Sequence, residues 1–135
     1  LRERFIDNLG AFGDLRERVQ SEVNKGSQMV IEGLDGRSLH VRSQHSSLNT
    51  LLQSAGAIVM KQALILLDEY AKLWGLDFKF VGNVHDEIQT EVRQDQAEKF
   101  GILAVECLIA AGNHFNLNCP LAGEYKIGNN WYETH

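Results

Sequence analysis

The chain is poor in several things at once. Its 135 residues include a single proline, Pro120, and two cysteines, Cys107 and Cys119. One proline excludes a proline-rich linker. Two cysteines, widely placed and without zinc-ligand spacing, exclude a disulfide framework and a thiolate zinc site, and read as reduced thiols of an intracellular protein. No uncharged apolar run reaches membrane-spanning length, and Leu1-Arg2-Glu3-Arg4 does not open a signal peptide, so no membrane partner is expected. Cations are scarce too: 13 Lys and Arg stand against 18 Asp and Glu, a formal charge of -5. Duplex DNA is a dense row of negative charge, so this balance argues against an autonomous nucleic-acid binder. It suits one acidic wall of a larger cleft, where divalent metal lies between protein and phosphate.

The familiar catalytic fingerprints are missing as well. There is no GxGxxG, no GxxxxGK[ST], no HExxH and no GxSxG, which removes the local signatures of dinucleotide binding, a P-loop, a zinc hydrolase and a nucleophile elbow. The five histidines, His40, His45, His85, His114 and His135, form no sequence-local triad.

What is present is an ordinary globular composition, 44% hydrophobic and 23% charged, with a length suited to one compact domain and twelve glycines for tight turns. The absence of an initiator Met leads to the expectation that the sequence begins inside something longer. Helical spacing from Leu1 to about Val23, interrupted at Gly10 and Gly13, predicts two short helices that end at Asn24 to Gly26. From Ser27 to Arg42 two apolar runs flank Asp35-Gly36, which predicts a hairpin. Ser46 to about Trp74 is the longest periodic element. Leu48, Leu52, Ala55, Val59, Ala63 and Leu66 define a buried face that Leu51, Ile58 and Ile65 widen, which puts the helix through the domain centre. Gly75 stops it. A second hairpin follows, with Asn83 to Ile88 as its turn; Asp95 then caps a second long helix through Phe115, with Glu98 in the capping-box position. The stretch from Cys119 to Gly128 predicts a last strand. The fold class is α+β, with two long helices and β-hairpins.

Two groups of residues can carry chemistry. Val84-His85-Asp86-Glu87-Ile88 sets two carboxylates and an imidazole at a hairpin tip, between apolar strands expected to be buried. Carboxylate oxygens are hard ligands suited to magnesium, but adjacent side chains on a strand point opposite ways, so Asp86 and Glu87 do not chelate one ion equally and another carboxylate must come from elsewhere. On its own such a triplet is more often a solvated turn than a metal or acid–base site. The second group is His45, Asn49 and Gln53 at i, i+4 and i+8, a polar ridge on a helix that is otherwise apolar. Imidazole and amides can read the acceptors that every base pair offers in the minor groove, although a polar helix start is also commonly just solvated. Arg37, Arg42 and Lys61 are candidate phosphate contacts.

In combination these segments are more specific. Leu34-Asp35-Gly36-Arg37 followed by the run from His40 to Ala57 resembles the palm helix of family A DNA polymerases, especially the bacteriophage branch. Val84 to Gln89 resembles that family's motif C, and Gly128 to His135 resembles its carboxyl end. The resemblance covers essentially the whole chain and keeps the family's order. It implies that Asp86 is a metal-binding aspartate, that His85 lies near the primer strand and that Glu87 supports the primer-terminal end of the site. His45 and Gln53 would approach the nascent pair from the minor groove, with Asn49 contacting template or primer between them. The implied cofactor is Mg2+, two ions in the intact enzyme, with other ligands outside this chain; the implied partners are primer-template DNA and deoxynucleoside triphosphates. Motif A, the nucleotide-binding fingers helix, the thumb and any exonuclease domain find no match. The expectation is therefore a carboxy-terminal part of a palm, without useful activity alone, prone to self-association, and at work in the cytoplasm of an infected bacterium if phage-encoded. Two other readings stay open at this point: a duplex-binding or assembly module without catalysis, and a metal-dependent phosphodiester hydrolase using Asp86 and Glu87.

Overall fold

Gly13 does not interrupt the helix that contains it. In the computed structural model, which describes residues 10–25 and 29–134, a single helix α1 runs over Gly10–Lys25. Both glycines fall in its first turn, where the backbone N–H groups lack intrahelical partners in any case and glycine does least harm. The portion of the expected two-helix unit on residues 1–9 lies outside the described residues. Val19 and Val23, four apart on α1, are buried against Ile31 and Val41, with Leu15, Leu39 and Leu51 around them. Ile31 belongs to β1 (Val30–Glu32), which pairs antiparallel with β2 (Ser38–His40) through Val30↔His40 and Glu32↔Ser38. The hairpin forms where Asp35-Gly36 predicts it. Gly36 N–H donates to the Gly33 carbonyl at 3.0 Å, Gly33 N–H donates to the Arg37 carbonyl at 2.8 Å, and Gly36 holds φ +80°, a conformation that costs a residue without Cβ little.

A 3-10 turn, Gln44–Ser46, leads into α2 (Ser47–Leu73). The junction is held by short-range hydroxyl bonds: Ser46 Oγ donates to the Ser43 carbonyl at 2.9 Å, and the fully buried Ser47 Oγ donates to the Gln44 carbonyl at 2.7 Å. Burial along α2 follows Val59, Ala63, Leu67 and Ala71, one four-residue ridge, with Ile58 beside it. The broad face expected from the sequence is thus too wide. Ile65 is 52% exposed because it lies two residues from Ala63, about 200° round the helix. Leu52 is 49% exposed, its neighbour Leu51 being the one that reaches the cluster beneath. The helix is accordingly one-sided and not a central rod. Gln44–Leu73 has the length and apolarity of a membrane span, with mean hydropathy 1.5 over its best window, but its single buried ridge is the pattern of a helix laid on a core. Gly75 ends α2 in a Schellman motif: with φ +66° it lets Leu76 N–H donate to the Ala71 carbonyl at 2.9 Å and Gly75 N–H to the Lys72 carbonyl at 3.0 Å.

The chain divides into two compact units, Leu1–Gly56 and Ala57–His135. The length alone suggests one core; the described residues form two apolar clusters, one in each unit. In the second unit β3 (Phe78–Val84) and β4 (Glu87–Val92) make an antiparallel hairpin, and α3 (Ala97–His114) follows a 3-10 turn at Gln94–Gln96. Leu67, Ala71, Leu76, Phe100, Leu103 and Cys107 are its buried centre, and Phe78, Phe80 and Val92 seat the base of the hairpin on them. Phe78 stacks between Phe80 and Phe100, each ring centroid 5.2 Å away. Burial raises the pKa of the Cys107 thiol, and the nearby Glu106 charge adds to the effect.

Asp95 does not cap α3. Its carboxylate accepts from Arg93 Nε at 2.6 Å and Nη2 at 3.0 Å, while Gln96 occupies the cap position and takes the Asp77 N–H at 2.8 Å. Glu98 is likewise diverted, accepting from the Tyr125 hydroxyl at 2.6 Å. The expected last strand is absent among the described residues. Instead the tail lies along α3 and places large side chains over its glycines: a Cβ at Gly112 would stand 2.9 Å from Leu121 Cγ, and one at Gly101 would stand 2.6 Å from Tyr125 Cγ. A short terminal helix, α4 (Trp131–Thr134), is closed by Glu133, whose carboxylate accepts the Asn129 N–H at 2.7 Å and is held below the usual carboxylate range chiefly by that bond.

These glycines differ in a measurable way. Gly101→Ala gains about 1 kcal/mol of helix propensity but meets the Tyr125 ring, an overpacking that costs about 1–3 kcal/mol, so urea melts are expected to show lower stability. In a Tyr125→Ala background the sign reverses. Gly56→Ala, in α2 with nothing within 4 Å of the added Cβ, is expected to raise stability by about 0.5–1 kcal/mol.

Candidate functional site

The second hairpin closes more tightly than the sequence suggests. Strand pairing continues through Asn83↔Ile88 to Val84↔Glu87, which leaves His85 and Asp86 as a two-residue turn. His85 adopts φ +54°, the left-handed region that a branched or ring-bearing side chain enters at a cost of about 1–2 kcal/mol. Strain of this kind is held where the surroundings fix it, here by the seven-residue and six-residue strands on either side. A bulge between Phe80 and Gly82 leaves Val81 without a cross-strand partner, and the alternation that half-buries Phe78, Phe80 and Gly82 ends at Val84. Val81 is 65% exposed and Val84 43%, against the expectation that the strands flanking the triplet are buried. His85, Asp86 and Glu87 are all exposed at the tip. Asp86 sits in the turn and Glu87 opens β4, where Gln89 Nε2 donates to Glu87 Oε2 at 3.4 Å. Gln89 is a neighbour the sequence reading overlooked; its i+2 spacing on a strand is the signal that would have found it.

The other group lies in the first unit. A cleft of about 560 Å³ is lined by His40, Arg42, Ser46, Asn49, Thr50, Gln53 and Ser54. Asn49, Thr50, Gln53 and Ser54 form one helical stripe at the start of α2, and Ser46 joins them from the turn before it. Asn49 and Gln53 are thus brought together as the sequence predicts. His45 is exposed in the 3-10 turn before α2 and does not line the cleft, whereas its neighbour Ser46 does. Thr50 Oγ1 is already committed, donating to the Ser46 carbonyl at 3.0 Å. His40, Ser46, Thr50 and Ser54 are additions to the sequence-derived set.

The cations differ in their commitments. Arg37 Nε donates to both Asp35 oxygens, at 2.9 and 2.8 Å, and this bond raises the arginine pKa and lowers that of Asp35. Among the described residues Lys72 pairs with Asp68 and Arg93 with Asp95, while Lys99 lies over the Trp74 ring, 4.9 Å from its centroid. Arg42 takes part in none of these. As for a metal, no group of three or more His, Cys, Asp and Glu close enough to hold one occurs among the described residues. The exposed Asp86 carboxylate in the two-residue turn fits the hard-oxygen chemistry of magnesium as one ligand of a set that other groups must complete.

The profile of DNA polymerase family A matches residues 4–133. The chain belongs to DNA polymerase family A. It is 40% identical to the DNA-directed DNA polymerase of Enterobacteria phage T3 and 39% identical to that of Escherichia phage T7, in each case over the whole of this chain and 22% of the relative. DNA polymerase I of Aquifex aeolicus is 30% identical over 97% of this chain and 23% of its own length, so the family A sequence lies nearer the phage enzymes. This family A chain spans about a fifth of the length of these relatives. Its fold is shared by the POL domain of Pol1 from M. smegmatis, solved in complex with DNA primer-template and dNTP: the TM-score is 0.70 at 23% identity, over 82% of this chain and 21% of that one.

The strained turn gives a direct prediction. His85→Gly is expected to raise the stability of the family A chain by about 1 kcal/mol in urea denaturation, since glycine adopts positive φ without the Cβ penalty. His85→Val is expected to lower it.

Proposed function

We propose that this chain forms the carboxy-terminal part of the palm of a DNA-directed DNA polymerase, which adds deoxynucleotides to a primer 3'-hydroxyl under template direction, in the cytoplasm of an infected bacterium if phage-encoded. The observation that carries the reading is the His85-Asp86 turn: it presents a carboxylate at the exposed tip of a hairpin whose base is seated in a core, inside a sequence matched by family A almost end to end.

In this reading Asp86 supplies one carboxylate of a magnesium site whose remaining ligands lie on other segments. Asp86 would help hold that magnesium, two ions in the intact enzyme, and the chemistry supplied when they are bound would be Lewis-acid help to the attacking hydroxyl and to the charge on the departing pyrophosphate. Glu87, steadied by Gln89, supports the primer-terminal end, and His85 stands beside the primer strand. Asn49, Gln53 and His45 offer amide and imidazole groups to the minor-groove acceptors common to all base pairs, a contact that senses pair geometry more than sequence. Because nucleotide capture and further metal ligands come from outside this chain, the chain alone does not extend primers.

Primer extension tests this. The purified 135-residue chain with magnesium and four deoxynucleoside triphosphates is expected to give no product. Exchanged for the matching segment of the phage T7 relative, it is expected to support extension that falls at least about a hundredfold with Asp86→Asn, since metal ligation is worth several kcal/mol in the transition state. Full activity of the Asp86→Asn hybrid sinks the assignment of Asp86.

Exposed apolar side chains bear on the isolated chain. Leu52, Ile65, Leu73 and Val81 are 49%, 52%, 76% and 65% exposed. The isolated chain is expected to self-associate, read as a molecular mass by light scattering that rises with concentration. A constant monomer mass at high concentration counts against it.

A further inference from the structure

The cleft beside the start of α2 has a composition that the whole chain does not. The sequence holds 18 carboxylates against 13 Lys and Arg, yet the seven residues lining this cleft include no carboxylate. They are one guanidinium, one imidazole, two amides and three hydroxyls. Local strand geometry puts the two basic groups there. Leu39 and Val41 turn inward to the first apolar cluster, Val41 being 5% exposed and anchored by its N–H to the Met29 carbonyl at 2.8 Å, so His40 and Arg42 both face outward on the same side. Across from them stand Asn49 and Gln53 on their helical stripe. Among the described residues the side chains of His40, Arg42, Asn49 and Gln53 make no hydrogen bond within the chain, whereas Arg37 is held by Asp35. The two basic groups and the two amides of this cleft are therefore uncommitted, while the Ser46 and Thr50 hydroxyls are held by backbone carbonyls.

We propose that His40 and Arg42 together bind a backbone phosphodiester of duplex DNA, at the edge of the surface whose amides meet the base pairs. The inference rests on the polymerase reading above and adds to it a strand-holding pair, with His40 as a newly assigned member. The guanidinium supplies charge and a planar fork of donors, and the imidazole supplies an N–H donor. A phosphate contact positions the duplex without reading sequence, while Asn49 and Gln53 reach the groove. A duplex suits the cleft better than a small anion because the lining of about 560 Å³ joins the two basic groups to the amides of Asn49 and Gln53, one helical turn apart on α2, so that phosphate and base edges are both met.

The test is a heteronuclear NMR titration of the 135-residue chain with a short DNA duplex at low salt, which reads weak complexes residue by residue. Arg42→Ala is expected to weaken binding about three- to tenfold and to reduce the salt slope by about one. His40→Ala is expected to weaken it about threefold, with partial recovery in His40→Gln, which keeps an N–H donor. Lys79→Ala, an equal loss of charge on β3, is the control and is expected to leave affinity within twofold or so. If Asn49→Ala and Gln53→Ala weaken binding while His40→Ala and Arg42→Ala behave like the control, the phosphodiester pair is wrong and the minor-groove reading stands. If none of the four matters, or the folded chain shows no duplex-induced shifts, both fall. Shifts of His40 and Arg42 with inorganic phosphate as large as those with duplex also overturn the proposal.

Discussion

The seating of Phe78, Phe80 and Val92 on Leu67, Leu103 and Cys107 is the contact on which the rest of the second unit depends. A two-stranded ribbon in water is marginal by itself and has no fixed direction. Three apolar side chains at its base, on a surface made by α2 and α3, give it one. The tip then extends beyond the core with its direction set but its side chains in solvent, which is where groups meant for an external ligand belong. The change from one regime to the other comes at Val84: up to Gly82 every second residue of β3 is half-buried, and from Asn83 to Glu87 all are exposed. A left-handed His85 is tolerated because both strands that flank it are already paired.

Electrostatics in this chain is organised by pairing and by omission. Arg37, Lys72 and Arg93 are matched within a few residues by Asp35, Asp68 and Asp95, so they contribute little field at a distance. Along the cleft of the first unit the carboxylates are simply left out. A negative chain can thereby hold a locally cationic surface. The formal charge of -5 and a nucleic-acid role are compatible because what a ligand meets is the local potential, screened over about 10 Å, and not the sum.

Much of this was legible in the sequence, and the failures have definite causes. Hairpins at Asp35-Gly36 and around His85, the stop at Gly75 and the long helix were readable because each depends on a local rule: positive φ at glycine, alternation, or four-residue steps. The helix cap at Asp95 failed because a nearer competitor, the Arg93 guanidinium, takes the carboxylate, and short-range pattern rules do not rank such rivals. The last strand failed because the segment from Leu121 to Tyr125 packs its side chains on α3 and pairs with no strand among the described residues, a tertiary choice invisible to periodicity. At the candidate site Asn49 and Gln53 were found from their spacing, whereas His40 was missed: only the burial of Val41 reveals that residues 40 and 42 share a side. Asp86 and Glu87 were legible as a pair at a solvated tip, but the exposure of Val84 beside them was not.

The apposition of Tyr125 with Gly101 and of Leu121 with Gly112 has an evolutionary side. At each of these places the volume of two side chains is shared, and one of the pair has ceded all of it. The two segments are therefore not free to drift apart in sequence: a methyl gained on the helix must be matched by bulk given up in the tail. The tail thus carries a negative of the helix surface beneath it.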